Sequence, residues 1–300
     1  MSGLAEALAA SILYRYPDPD EIPYRPWCYV QGYILLGLEK LWLATGETRY
    51  FEYIKRFVDQ HVRPDGNLIG FTGESLDDMM AGTVIVAMYE HTGELRYQHA
   101  ARLIREALFD YPRNSDGGFW HNRGLPHEMW IDGVFMGQMF LTRYGAVIGE
   151  KEVCFAEAIR QIETLARHCR KGNSGLFLHA YDEARRSFWA DPETGLSPEV
   201  WSEGLGWYAL ILVETLALMP KDFPERAIVE KILVDLVEGL RKTQDKNTGL
   251  WYQVVDKGSL VDNWQDTSGS AMFVYAIQRA IELGYASSEI YLPVTQKGYA

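Results

Sequence analysis

The chain has 300 residues, 47% of them hydrophobic, which is enough for a substantial core. No uninterrupted apolar run reaches the roughly eighteen residues of a membrane-spanning helix. Forty-one acidic against 29 basic residues leave a formal charge of −12 with no basic cluster, arguing against nucleic acid and anionic membrane as partners. The three cysteines, Cys28, Cys154 and Cys169, form neither a disulfide framework nor a zinc spacing, and read as small buried residues in a reducing compartment.

The first segment, Met1 to Tyr16, reads as an amphipathic helix over about residues 2–14. It has no basic n-region and no cleavage site, so a cytoplasmic location is expected. From there two kinds of helical segment alternate. Residues 29–43, 81–89, 134–144, 205–218 and 271–283 are apolar almost all round. Residues 48–63, 95–109, 151–169 and 224–241 carry one apolar stripe. In the first of these, Tyr50, Phe51, Ile54, Phe57 and Val58 lie opposite Glu52, Lys55, Arg56 and Asp59. A helix apolar on every side is buried on every side, whereas a striped helix lies at the surface. The alternation therefore predicts an all-α, (α/α) toroid of inner and outer helices, in a single domain over residues 1–300. Five inner–outer pairs are counted, the fifth with no striped partner legible in the pattern, and the N-terminal helix is left over. A six-pair ring needs more helices than the pattern supplies, so the sixth pair is expected to be incomplete.

Internal repetition supports the hairpin unit. Thr45-Gly46-Glu47-Thr48-Arg49-Tyr50 returns 47 residues later as Thr92-Gly93-Glu94-Leu95-Arg96-Tyr97. The glycine is placed to cap one helix just before the next begins. After each striped helix comes a turn: Asp65-Gly66-Asn67-Leu68, Asp116-Gly117-Gly118-Phe119, Asn173-Ser174-Gly175-Leu176 and Asn247-Thr248-Gly249-Leu250. Long loops fall at the opposite helix ends, where function usually sits.

An acid recurs at the start of each apolar helix after the long loop: Asp77 and Asp78, Asp132, Glu203, and Asp266. In a toroid these starts converge on the axis. Asp near a helix start is often only a cap, worth about 1 kcal/mol, and Asp266 reads best that way. Asp132 stands apart, between Trp130-Ile131 and Gly133-Val134-Phe135, because an isolated carboxylate in such a run is costly unless it lines a pocket. A second carboxylate nearby would raise its pKa and make it a general acid near neutrality. Aromatic residues reach 13%, many in glycine-rich loops, where they suit the apolar C–H face of a sugar ring as well as simple packing over a core. Trp120, His121, His179, Tyr181, Trp201 and Trp207 are the pocket candidates. No metal-ligand spacing, phosphate loop or serine nucleophile elbow occurs.

These blocks resemble the unsaturated glucuronyl and galacturonyl hydrolases of glycoside hydrolase family 105 and the related family 88. The resemblance runs from Trp27-Cys28-Tyr29 onward, through Met129-Trp130-Ile131-Asp132-Gly133-Val134-Phe135-Met136, His179-Ala180-Tyr181-Asp182-Glu183, Trp189-Ala190-Asp191 and Ser268-Gly269-Ser270-Ala271-Met272-Phe273. It implies an (α/α)6 barrel and a hydration reaction on a C4–C5 double bond in a non-reducing uronic acid, on a small oligosaccharide, without a cofactor. Asp132 would act as general acid and then as base toward water. Asp77 would hold sugar hydroxyls or the water. His179, Trp201 and Trp207 would line the sugar subsite, with Tyr29 at its edge; Trp120, His121, Trp130 and Glu203 complete the substrate-binding set. Two positions depart from the family's pattern. His121-Asn122 stands where His-Lys is common, and Trp201-Ser202-Glu203 where Trp-Gly-Arg or Trp-Ser-Arg is common.

Two other readings stay open on the residues alone. An ordinary inverting glycosidase would pair Asp132 with Asp77, Asp78 or Glu203 about 6.5–9.5 Å apart. A non-catalytic sugar-binding protein would keep the fold but has no need of a buried acid.

Overall fold

The computed structural model describes residues 2–300. The chain divides into two compact units: one runs up to Tyr111 and includes Arg143–Lys151, the other comprises Pro112–Thr142 and Glu152–Ala300.

In the first unit, α1 (Ser2–Arg15) is followed by α2 (Tyr29–Thr45), α3 (Thr48–His61), α4 (Leu76–Met80), α5 (Gly82–Thr92) and α6 (Leu95–Phe109). The two helix types of the sequence are recovered. Every residue of α5 from Gly82 to Met88 is buried, whereas α3 buries only the stripe Tyr50, Tyr53, Ile54, Phe57, Val58 and His61. The repeated glycines do what their spacing implies. Gly46 and Gly93 sit at φ 74° and 71°, a left-handed conformation open to glycine at little cost, and each donates its N–H back into the preceding helix.

One buried ion pair stands out here. Glu39 on α2 is 2% exposed. Its carboxylate accepts two hydrogen bonds from Arg143, at 2.5 and 2.6 Å, and lies 2.9 Å from His91 Nε2. Burial alone would raise the Glu39 pKa, but Arg143 and then His91 outweigh it and hold it below the ordinary range.

In the second unit, α7 (Ile131–Val147) contributes its residues up to Thr142, followed by α8 (Lys151–Cys169), α9 (Ser202–Leu218), α10 (Arg226–Thr243), α11 (Thr267–Glu282) and α12 (Ser288–Tyr299). Short strands feed two of these helices directly. β1 (Glu128–Trp130) pairs antiparallel with β2 (Ala180–Asp182) in the register Glu128↔Asp182, Met129↔Tyr181, Trp130↔Ala180, and α7 starts at the next residue. β3 (Trp251–Tyr252) pairs with β4 (Gln265–Asp266), which runs into α11. α9 is buried on all sides from Gly204 to Val213, as a helix apolar all round must be.

Residues 288–299 had no periodic signal, yet they form α12, which packs on α11 through Val294 and Thr295. Pro293 inside the helix and the polar residues Gln296 and Lys297 mask its apolar face. This supplies a helix that the sequence pattern lacked. All three cysteines are buried and free. No helix among the described residues is long and apolar enough to cross a membrane.

Removing one partner of a buried, hydrogen-bonded ion pair costs about 3–5 kcal/mol. Glu39→Gln is therefore expected to lose stability on that scale in chemical denaturation. Because the folded-state pKa of Glu39 lies below its unfolded value, its contribution is complete above about pH 4.5 and is lost as pH falls through the lower folded value. The wild-type melting temperature should thus fall more steeply in acid than that of Glu39→Gln.

Candidate active site

Asp132 is the second residue of α7, directly after β1. Two bonds fix this junction: the β1–β2 ladder, and the Ile131 N–H donating to the His179 carbonyl at 2.9 Å. They bring His179 Nδ1 to 3.4 Å from Asp132 Oδ1, with the Asp132 side chain 15% exposed. His121 is delivered by its own N–H, which donates to the Glu128 carbonyl at 2.7 Å. Its ring stacks on Trp130 at 4.5 Å and 7°. Trp130 lies 5.5 Å from the His179 ring, and Trp201 meets that ring edge-on at 5.2 Å. Burial lowers the pKa of both His121 and His179 to about 4, so both imidazoles are neutral around neutral pH.

The first turn of α9 closes on the same carboxyl. A Cβ on Gly204 would lie 2.7 Å from Ile131 Cγ2, 2.9 Å from His179 Nδ1 and 3.1 Å from Asp132 Oδ1. Only glycine lets the helix start approach this closely, and the approach sets the positive end of the α9 dipole against Asp132. Glu203, one residue earlier, has its pKa raised by burial and then by Asp266, against hydrogen bonds from Ser268 and Trp207. Asp266 is the N-cap of α11, accepting from the Ser268 and Gly269 N–H groups, as its position in the sequence implied. It also accepts from the Ser202 hydroxyl, tying the starts of α9 and α11 together. Trp207 is 5% exposed and packs on Phe135 at 4.8 Å.

Beside this cluster lies a cavity of about 390 Å³, walled by Trp130, His179, Trp189, Pro198, Trp201 and Val254. Trp189 and Pro198 were not singled out in the sequence as site residues. Trp189 was visible as an aromatic in a loop, but nothing local shows that it lines this cavity. Gly204 was equally silent, because its role depends on what packs against it.

Trp120 packs against His127 at 5.0 Å. Tyr29 and Asp77 belong to the first unit, where Tyr29 meets Tyr24 edge-on at 6.2 Å. Asp77 lies in the first turn of α4, with its pKa raised to about 6 by burial, opposed by Arg25 and reinforced by Asp78. The neighbouring Asp78, one of the acids placed at a helix mouth by the sequence pattern, is fully buried and committed elsewhere. Its carboxylate takes Arg25 at 2.7 Å and the Thr72 hydroxyl, and its backbone carbonyl takes the Trp27 indole at 2.9 Å. These bonds tie Asp78 to the Arg25, Thr72 and Trp27 segments.

Gly204→Ala forces His179 or Ile131 to move. It is expected to cost about 1–3 kcal/mol by overpacking, read as a lowered melting temperature.

The sequence model of Glycosyl Hydrolase Family 88 matches residues 4–300. A structure described as a family 105 glycoside hydrolase of C. acetobutylicum superposes with a TM-score of 0.92 at 31% identity, over 98% of this chain and 81% of that one. The unsaturated glucuronyl hydrolase of Bacillus sp. GL1 superposes with a TM-score of 0.73 at 13% identity, over 99% of this chain and 83% of that one, a likeness of fold. The all-α fold expected from the alternating helices is thus the fold of these α/α enzymes. The 24.9 kDa protein in picA locus of Rhizobium radiobacter is 39% identical over 158 residues, 51% of this chain and 64% of that protein. The chain thus spans just under two thirds of the length of the curated relatives it matches.

Proposed function

The chain belongs to glycosyl hydrolase family 88, and from that premise we propose that it releases a 4,5-unsaturated uronic acid from the non-reducing end of a lyase-generated oligosaccharide by hydrating the C4–C5 double bond. The observation that carries this reading is Asp132, a part-buried carboxyl beside the neutral His179 imidazole and the start of α9. The Bacillus sp. GL1 enzyme, named for unsaturated glucuronyl hydrolysis, supports the substrate class.

In this mechanism Asp132 gives its proton to C4 of the enol ether, and positive charge develops at C5 and the ring oxygen. The carboxylate so formed takes a proton from the water that adds at C5, which restores the acid. The C5 hemiketal opens to a ketone. C1 is left as a hemiacetal of the leaving alcohol, which collapses to an aldehyde and frees the alcohol. The residues around Asp132 suit a group that must carry both charge states. The α9 N-terminus and the His179 ring both lie close to its carboxyl. A protonated imidazole in their place would hold Asp132 ionised and oppose its action as an acid.

The two departures from the family pattern bear on the uronate carboxylate. Asn122 is engaged in a turn, its side-chain oxygen accepting from the Gly124 N–H at 2.7 Å, and Glu203 is an acid. Recognition of the uronate would therefore rest on neutral donors and helix dipole rather than on a lysine or arginine at these two positions.

Unsaturated uronides from pectin, ulvan and glycosaminoglycan lyases absorb in the near ultraviolet, and hydration erases the band. Loss of the band with at least one of them is expected; a band that persists across the panel, with folded protein, would transfer the reading to saturated glycosides. Asp132→Asn should lower the rate by about 10²–10⁴-fold with melting temperature and ligand binding retained. Full activity in that variant would overturn the assignment of the acid.

A further inference from the structure

Glu128 opens β1, a few residues before Asp132, yet it is not among the residues that wall the cavity. It is 8% exposed, and its carboxylate is divided between two segments of the chain. Oε2 accepts from the Trp130 indole N–H at 2.8 Å, and Oε1 accepts from the Ser187 hydroxyl at 2.6 Å.

The backbone under this fork is fixed. The Glu128 N–H donates to the Leu125 carbonyl at 3.2 Å, and its carbonyl accepts from the His121 N–H at 2.7 Å. His127, just before it, has a left-handed conformation at φ 72°, uncommon outside glycine. The His127 carbonyl accepts from the Glu183 N–H at 3.1 Å, which extends the β1–β2 pairing by one bond.

Both segments held by the fork reach the cavity. Trp130 lines it, and the same ring carries the His121 imidazole, stacked at 4.5 Å and 7°. Ser187 belongs to the loop after β2, which brings Trp189 to the cavity two residues later. Asp182 anchors the root of that loop, accepting from the backbone N–H groups of Ala184, Arg186 and Ser187 at 2.7–2.8 Å. The Glu128–Ser187 bond then ties the loop to β1.

A carboxylate is compensated best by a cation, and burying one against an indole and a hydroxyl contributes little net stability. An apolar residue could fill the space, but it would leave the indole N–H and the hydroxyl without these acceptors. The chemistry of the position favours placement over stability.

We propose that Glu128 is a positioning residue of the active site: its carboxylate sets Trp130 and the Ser187–Trp189 loop in the arrangement that receives substrate, without touching substrate itself. The effect on turnover rests on the proposed function; the effect on the loop does not.

The test combines limited trypsin digestion of the folded protein with steady-state kinetics, for wild type, Glu128→Ala, Glu128→Gln, Ser187→Ala and the double variant Glu128→Ala/Ser187→Ala. Arg185 and Arg186 are exposed in the tethered loop, so cleavage there reads its opening. Glu128→Ala is expected to be cut about tenfold faster, and its KM to rise about tenfold with kcat changed less than about threefold. Glu128→Gln should resemble wild type in both readouts, because its amide oxygen can accept from the indole while its NH₂ donates to Ser187. Ser187→Ala alone should speed cleavage, and it should add nothing to Glu128→Ala; it also keeps the test open should Glu128→Ala fail to fold.

Cleavage of Glu128→Ala or Ser187→Ala at the wild-type rate would overturn the tie. Faster cleavage with KM unchanged, or a loss confined to kcat, would make Glu128 a merely structural residue and overturn its positioning role. Glu128→Gln as impaired as Glu128→Ala would overturn the hydrogen-bonded fork in favour of the charge. If a saturated glycoside is turned over in place of the unsaturated uronides, the reading of the reaction fails, and the same KM comparison on that glycoside decides the positioning role. If nothing is turned over, that reading fails too, while the cleavage rates still uphold or overturn the tie.

Discussion

Three residue pairs of an antiparallel ladder, Glu128↔Asp182, Met129↔Tyr181 and Trp130↔Ala180, hold the second unit's site in register. A slip of one residue along this ladder would turn Trp130 to the opposite face, because successive side chains in a strand alternate. It would also detach Ile131 from the His179 carbonyl and so move Asp132 away from the imidazole. The ladder is short, and its ends are secured by side chains. Glu128 binds the Trp130 indole and Ser187, while Asp182 gathers three backbone N–H groups of the following loop. Polar groups in this position are satisfied by one another, which keeps them from competing with the ligand.

The electrostatics of the site follow from that geometry. His121 and His179 are kept neutral by burial rather than by a basic neighbour. A neutral imidazole can donate one hydrogen bond without imposing a full positive charge on its surroundings. Backbone dipoles at the start of α9 add positive potential, brought close because Gly204 has no side chain. Fixed dipoles do not titrate, so their contribution to the field there is independent of pH.

Elsewhere, ionised groups serve the scaffold. Glu39 is buried among α2, His91 and Arg143, and Asp78 is buried against Arg25 and Thr72. In both, a full counter-charge compensates a carboxylate that water no longer reaches. Asp132 lies instead 3.4 Å from the Nδ1 of His179, an imidazole that burial keeps neutral.

The sequence by itself determined the helix types, their alternation and most of their limits. Those are properties of local periodicity and of capping residues such as Gly46 and Gly93, which act within a few positions of the chain. It also marked Asp132, because a carboxylate in an apolar run is anomalous wherever the chain goes. It did not show α12, whose stripe is interrupted by Pro293. Nor could it distinguish Asp77 from Asp78: adjacent acids have the same local environment, and only the tertiary structure decided that Asp78 meets Arg25. The same holds for Trp189 and Gly204. What an indole faces, and what a missing Cβ makes room for, are set by segments distant in sequence that meet only when the chain has folded.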